Sequence, residues 1–161
     1  MAKRVKSISI MTMAVVIALG ASLIPAGTAQ AAAPYEHYNT GDNGYRAFHG
    51  SLWRAQTFTA ISTHFVTSVK LKLSRLGSPG ELDVILLATD DAGHPTGMPL
   101  AWGMTNGNTL AAYPASEWRE IPFIRPYRVT NGAVYAIVAK TPGGDDSNQP
   151  AWRCVAPVGT Y

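Results

Sequence analysis

The stretch "TSVKLKLSRLGSPGELDVILLAT", Thr67 to Thr89, decides how the chain folds. In its first part Val69, Leu71 and Leu73 alternate with Lys70, Lys72 and Ser74. A two-residue period of this kind sends one set of side chains to a core and the other to water, as in a half-buried β-strand. "GSPGE", Gly77 to Glu81, then supplies the Pro-Gly punctuation of a turn. In "LDVILLAT" Leu82, Val84, Leu86 and Ala88 share one face while Ile85 and Leu87 occupy the other. A strand apolar on both faces belongs in the middle of a sheet or under a cover.

Working outward, the same alternation predicts strands near Trp53 to Thr59, Leu100 to Met104, Glu117 to Phe123, Ala133 to Lys140 and Ala151 to Val155. Weaker signals lie at Tyr45 to Phe48 and Tyr127 to Val129. Turn-forming segments separate them: "TNGNT", Asn131-Gly132 and "TPGGDDSNQP". No segment beyond the N-terminal region keeps a helical period over three turns, and "PASEW", Pro114 to Trp118, is too short for a helix. The fold class expected is all-β: an antiparallel two-sheet sandwich, jelly-roll-like, of about eight strands. Ile85 and Leu87, with Tyr135 and Ile137 on the second doubly apolar strand, are expected to form an outer sheet surface needing cover. The segment Tyr35 to Phe48 or a partner subunit would supply it.

The chain opens with Lys3, Arg4 and Lys6 ahead of an apolar run from Ile8 to Ile24, followed by Pro25 and small residues. This is the layout of a secretory signal peptide. A spanning helix needs about 20 apolar residues, and this run is shorter and broken by Ser7, Ser9, Thr12 and Gly20. Cleavage is expected after Ala29-Gln30-Ala31, giving a signal peptide at residues 1–31 and a single domain at 32–161, with no membrane span in the mature chain and an extracellular or cell-surface location. Such a cut leaves 130 of the 161 residues, a length suited to one core.

Three of the 13 Lys and Arg lie in that leader, which leaves ten bases against ten acids. The formal charge of +3 therefore belongs to the leader. Without a net positive field or a basic run there is nothing to offset phosphate charge, and nucleic-acid binding is not expected. The single cysteine, Cys154, has no internal partner for a disulfide and is read as a buried thiol, with an intermolecular bridge as the alternative.

Several segments in order, "WRAQTFTA" (Trp53 to Ala60), Thr67 to Gly97, "EWREI" (Glu117 to Ile121), "YAIVAKTPGGDDSN" (Tyr135 to Asn148) and "AWR" (Ala151 to Arg153), resemble exported β-sandwich domains of the choice-of-anchor kind. These occur in surface proteins and virus-associated or environmental prokaryotic sequences. The resemblance implies a jelly-roll-like extracellular module for adhesion, display or ligand binding, without an established enzymatic activity. Such domains continue beyond the region of Gly159 to Tyr161 with another turn and a closing strand. The expectation is therefore a sandwich one strand short, or a truncated frame, with an open edge as a template for self-association.

Two acidic loops invite a metal reading. Asp90 and Asp91 in "ATDDAGHPTG", and Asp145 and Asp146 in "PGGDDSNQP", offer carboxylate oxygens that a sandwich loop can use to hold calcium at low affinity. The spacing is not that of a helix-loop-helix calcium site, and Asp, Asn, Gly and Pro are also turn residues. Turn chemistry is the expected role, and a shared ion requires both loops at one end of the sandwich. His37, His49, His64 and His94 lack metal-ligand spacing. There is no G-x-S-x-G elbow, and the scattered acids do not define a glycosidase pair. No cofactor is expected beyond that calcium.

Aromatic residues carry more weight, because sugar-binding sandwiches stack exposed rings on pyranose faces. Trp102, Tyr113, Trp118 and Trp152 are the candidates, with Tyr35, Tyr38 and Tyr45 near the mature start. In "EWREIPF", Arg119, Ile121 and Phe123 share one parity and Trp118 and Glu120 the other. If Ile121 and Phe123 face inward, Trp118 faces out. The functional expectation is a secreted, non-enzymatic module for surface binding or adhesion whose partner is a glycan or another surface protein. A structural subunit of a surface or virion assembly comes second, and a small hydrolase last.

Overall fold

The computed structural model describes residues 36–37 and 43–155, all within one compact unit, Pro34–Tyr161. The expected signal peptide, Tyr35, Tyr38 and the segment beyond residue 155 lie outside the described residues. Eight strands are present: β1 (Gly44–Ala47), β2 (Arg54–Thr59), β3 (His64–Leu76), β4 (Glu81–Thr89), β5 (Pro95–Asn106), β6 (Glu117–Val129), β7 (Val134–Lys140) and β8 (Gln149–Cys154). They form two four-stranded sheets, β1-β8-β3-β6 and β2-β7-β4-β5, and every ladder is antiparallel. Except at the β4–β5 hairpin, each strand hands the chain to the opposite sheet, which is the double Greek key of a jelly roll. The open edges are β1 and β6 in the first sheet and β2 and β5 in the second.

The alternation in Thr67 to Thr89 appears as drawn from the sequence. Val69, Leu71 and Leu73 of β3 are buried, as are Leu82, Val84 and Leu86 of β4. Both strands that are apolar on two faces, β4 and β7, occupy the centre of the second sheet. One parity needs correcting. Leu86 stands opposite Ile137 and Ala88 opposite Tyr135, so Tyr135 and Ile137 face the core with the Leu82 row, where Tyr135 meets Phe58 at 5.8 Å between ring centroids. The outer row runs instead through Ala55, Val138, Ile85 and Trp102. The N-terminal cover is corrected in part, because Gly44–Ala47 is the edge strand of the other sheet.

Two strands are longer than alternation alone indicates. Glu117 to Phe123 and Tyr127 to Val129 are one strand, β6, in which a bulge sets Thr67 of β3 against the four residues 123–126. β5 begins at Pro95 rather than Leu100, with residues 97–100 bulging opposite Leu87. Both bulged strands are sheet edges, where Pro126, Gly97 and Pro99 interrupt no ladder on the open side. The only helical element among the described residues is a 3-10 turn at Gly107–Thr109, capped by the Asn106 side chain.

The core lies between the sheets, filled by Phe48, Phe58, Leu71, Leu73, Leu82, Val84, Leu86, Ile121 and Val129. β5 and β6 approach each other closely at Gly103, where an added Cβ would lie 2.2 Å from the Pro122 carbonyl oxygen and 3.1 Å from Ile121 Cγ2. Glycine is required there by space, not by backbone torsion.

Candidate functional site

The outer face of the first sheet carries a row that crosses all four strands. Lys72 lies between two core leucines and so points outward, directly opposite Trp118 on β6. On the other side of β3, Leu73 is paired with Trp152, which makes Arg153 the next residue along on the outer face. Arg153 is in turn opposite Tyr45 on β1. The row therefore reads Tyr45, Arg153, Lys72, Trp118, with neighbouring strands about 4.8 Å apart. Trp118 is 49% exposed and Tyr45 44%, so both side chains present surface to solvent.

Tyr113 joins this row from the β5–β6 connection. Its backbone N–H donates to the Arg75 carbonyl at 2.9 Å, which docks the connection on the end of β3. Its ring then meets Tyr45 at 5.1 Å between centroids with planes inclined by 59°, and it stays 48% exposed. A hydrogen bond with Tyr45 holds the Tyr113 phenol above its ordinary value, and Arg153 pulls the other way. The phenol is therefore neutral at physiological pH, and the guanidinium sits close to the ring pair. Lys72 and Arg153 are half-buried, and each has a partner within the protein. Beyond Trp118, Glu120 accepts from Ser68 Oγ at 2.9 Å and lies 3.8 Å from Lys70 Nζ.

Of the aromatic candidates, then, Trp118 and Tyr113 share one surface and Tyr45 joins them. Trp102 lies on the outer face of the second sheet beside Ile85, with Met104 next along. Trp152 points the other way, paired with Leu73 and packed against the core. Lys72 and Arg153 were not singled out from the sequence. Their signal was present only as parity: Lys72 alternates with core leucines, and Arg153 follows a tryptophan whose own direction had to be known first.

The acidic loops are at opposite ends of the sandwich. Ala88 is paired with Tyr135 at the start of β7, whereas Asp83 is paired with Lys140 at its end. The Asp90–Asp91 turn therefore lies at one end and Asp145–Asp146 at the other, which excludes a shared ion. Each first aspartate is occupied by its own turn. Asp90 Oδ1 accepts from the backbone N–H of Ala92 and His94 at 3.0 and 2.8 Å, and Asp145 Oδ1 accepts from Ser147 and Asn148 at 2.8 Å each. The His94 backbone holds the Asp90 carboxyl below the usual range, and the Asn148 side chain does the same for Asp145. Among the described residues no three His, Cys, Asp or Glu side chains converge as metal ligands.

Three of the four histidines lie beside carboxylates: His49 lies 3.0 Å from Asp146, His64 3.5 Å from Glu36 and His94 3.5 Å from Asp90. An open cleft of about 520 Å³ lies beside the β4–β5 turn, lined by Thr89, Asp90, Asp91, Tyr127 and Tyr135 among others. Its Asp90 is committed to the turn, and the Tyr135 hydroxyl accepts from the Thr130 backbone at 3.1 Å. Cys154 is half-buried and unbridged. No helix among the described residues is long and apolar enough to cross a membrane. No family model and no curated protein matches the chain.

Proposed function

We propose that the protein is a secreted, non-enzymatic binding module that holds carbohydrate on the outer face of the first sheet. The observation that carries this reading is the gathering of Trp118, Tyr113 and Tyr45 on one exposed surface, although they come from three separate parts of the chain. A pyranose has an apolar face of C–H groups and a polar rim. Exposed rings take the face by stacking, and polar groups beside them take hydroxyl groups at the rim. Tyr45 and Trp118 stand on β-strands, and Tyr113 stands on a connection docked on β3 by its backbone N–H, so the surface is set before the ligand arrives and little ordering cost remains. Export through the N-terminal leader and the likeness to choice-of-anchor domains agree with a role at a cell surface.

The test is a glycan array followed by titration of Trp118→Ala. Binding that is lost in the variant while the fold persists supports the reading, and a blank result over broad panels removes it. A structural role in an assembly is the second reading, favoured by the apolar outer row Ala55, Val138, Ile85 and Trp102 on the other sheet. Light scattering that shows only monomer at high concentration counts against it.

A further inference from the structure

We infer that two copies of the chain pair edge to edge through β2, joining their second sheets into one continuous sheet of eight strands. Three of the four open edges are blunted against such pairing. β1 has only four residues. β5 and β6 are interrupted by bulges, with Pro95 and Pro99 in one and Pro122 and Pro126 in the other. β2 differs. Its sequence "RAQTFT" pairs with β7 through six consecutive residues without a shift, contains neither proline nor glycine, and has its one charged residue, Arg54, at the end. Ala55, Gln56, Thr57 and Thr59 are exposed. An unguarded edge of this kind is a template for another strand.

The register of β2 selects a second copy as that strand. Ala60, just past β2, donates its N–H to the Ala133 carbonyl at 3.0 Å and accepts from the Gly132 N–H at 2.8 Å, so both of its backbone groups face β7. In an antiparallel strand this direction alternates residue by residue, which turns the N–H and C=O groups of Ala55, Thr57 and Thr59 to the open side. A second β2 laid antiparallel with Thr57 on the two-fold axis sets Thr57 opposite Thr57 and Ala55 opposite Thr59, and these pairs take up every outward backbone group of the strand. Self-complementarity of this kind is what a two-fold interface requires. The side chains agree. Gln56 comes opposite Phe58 and Arg54 opposite Ala60, so no like charges meet, and the two Thr57 hydroxyls face each other across the axis. The same register carries Trp53, 49% exposed, toward Ile61 of the second copy, 67% exposed, at each end of the edge. The axis runs perpendicular to the joined sheet, so the outer faces of both first sheets point the same way. That consequence alone rests on the carbohydrate reading: the pair presents two Trp118 faces to one glycan surface and gains avidity.

The experiment is sedimentation velocity of the full chain over a range of concentrations, with amide hydrogen exchange followed by NMR, for the parent, Thr57→Lys, Thr57→Asp and an equal mixture of the two variants. Circular dichroism confirms each fold, and Thr57 is exposed, so the surface accommodates both substitutions. A six-residue ladder is a small interface, so the dimer should fill only as concentration rises. Exchange at Ala55, Thr57 and Thr59 should slow in step with it. Each single variant places like charges face to face on the axis and should weaken dimerisation by about tenfold or more, and the mixture should restore it as a heterodimer. A parent that stays monomeric throughout, with exchange at these amides independent of concentration, overturns the pairing. Association that persists equally in Thr57→Lys belongs to another surface and overturns the assignment to β2. Loss in both variants without rescue in the mixture overturns the register centred on Thr57. None of these outcomes depends on sugar binding, which the glycan array decides separately.

Discussion

Replacing Gly103 with alanine should destabilise the protein by about 2–3 kcal/mol, the upper part of the range for overpacked cores. The added methyl would sit 2.2 Å from the Pro122 carbonyl oxygen, whereas ordinary van der Waals contact begins near 3.4 Å. The obstructing atom is backbone, so no rotamer change relieves the clash. β5 and β6 must part by about 1 Å, and a gap of 0.5–1 Å forfeits about a quarter to a half of each dispersion contact it opens. For a domain of this size the melting temperature should fall by about 6–15 °C. Gly143→Ala is the control, because its added Cβ meets nothing within 4 Å and the change should stay within about 0.5 kcal/mol. Urea titrations followed by circular dichroism measure both. A Gly103→Ala protein as stable as the parent would refute the close approach of the sheets at this point, and with it the facing of Gly103 toward β6.

Two further predictions test burial and charge. Leu73 and Leu76 lie on one strand, the first fully buried and the second half exposed, so truncation to alanine should cost about 2–5 kcal/mol at Leu73 and under about 0.5 kcal/mol at Leu76; equal losses in denaturant titration contradict the placement of β3. Asp90 and Asp145 have carboxyls held below the ordinary value, so the stability they lend is complete above the unfolded value of about 3.9 and disappears as pH falls through their lower native values. The denaturation midpoint should accordingly be insensitive to these two groups from pH 7 to about pH 5 and decline below about pH 4. In Asn148→Ala the Asp145 titration followed by NMR should move upward; a midpoint that stays in place contradicts Asn148 as the main cause.

The fold was legible where alternation is strict. Val69, Leu71 and Leu73 fix the phase of β3 without help from any partner strand. The extents of β5 and β6 were not legible, because Gly97, Pro99 and Pro126 are turn residues by local rules and are absorbed as bulges only on strands with an open side. Phase fails for a different reason in β7. When both faces are apolar, Tyr135 and Ile137 look the same from either side, and only the register with Leu86 and Ala88 assigns them inward. The site divides along the same line. Trp118 was readable because Ile121 and Phe123 mark the inner face beside it. Trp152 was not, because Ala151 and Trp152 are both apolar. The Tyr45–Arg153–Lys72–Trp118 row is a product of jelly-roll topology, which lays β1, β8, β3 and β6 side by side from four distant segments.

The measurement that bears most directly on the functional claim is an amide chemical-shift map recorded while an oligosaccharide that binds on the glycan array is titrated into the folded protein. The shifts should concentrate at Tyr45, Lys72, Tyr113, Trp118 and Arg153, with the indole N–H of Trp118 among the largest. Shifts gathered instead around Trp102 on the second sheet, or in the cleft beside Asp91, would place the ligand elsewhere and contradict the account.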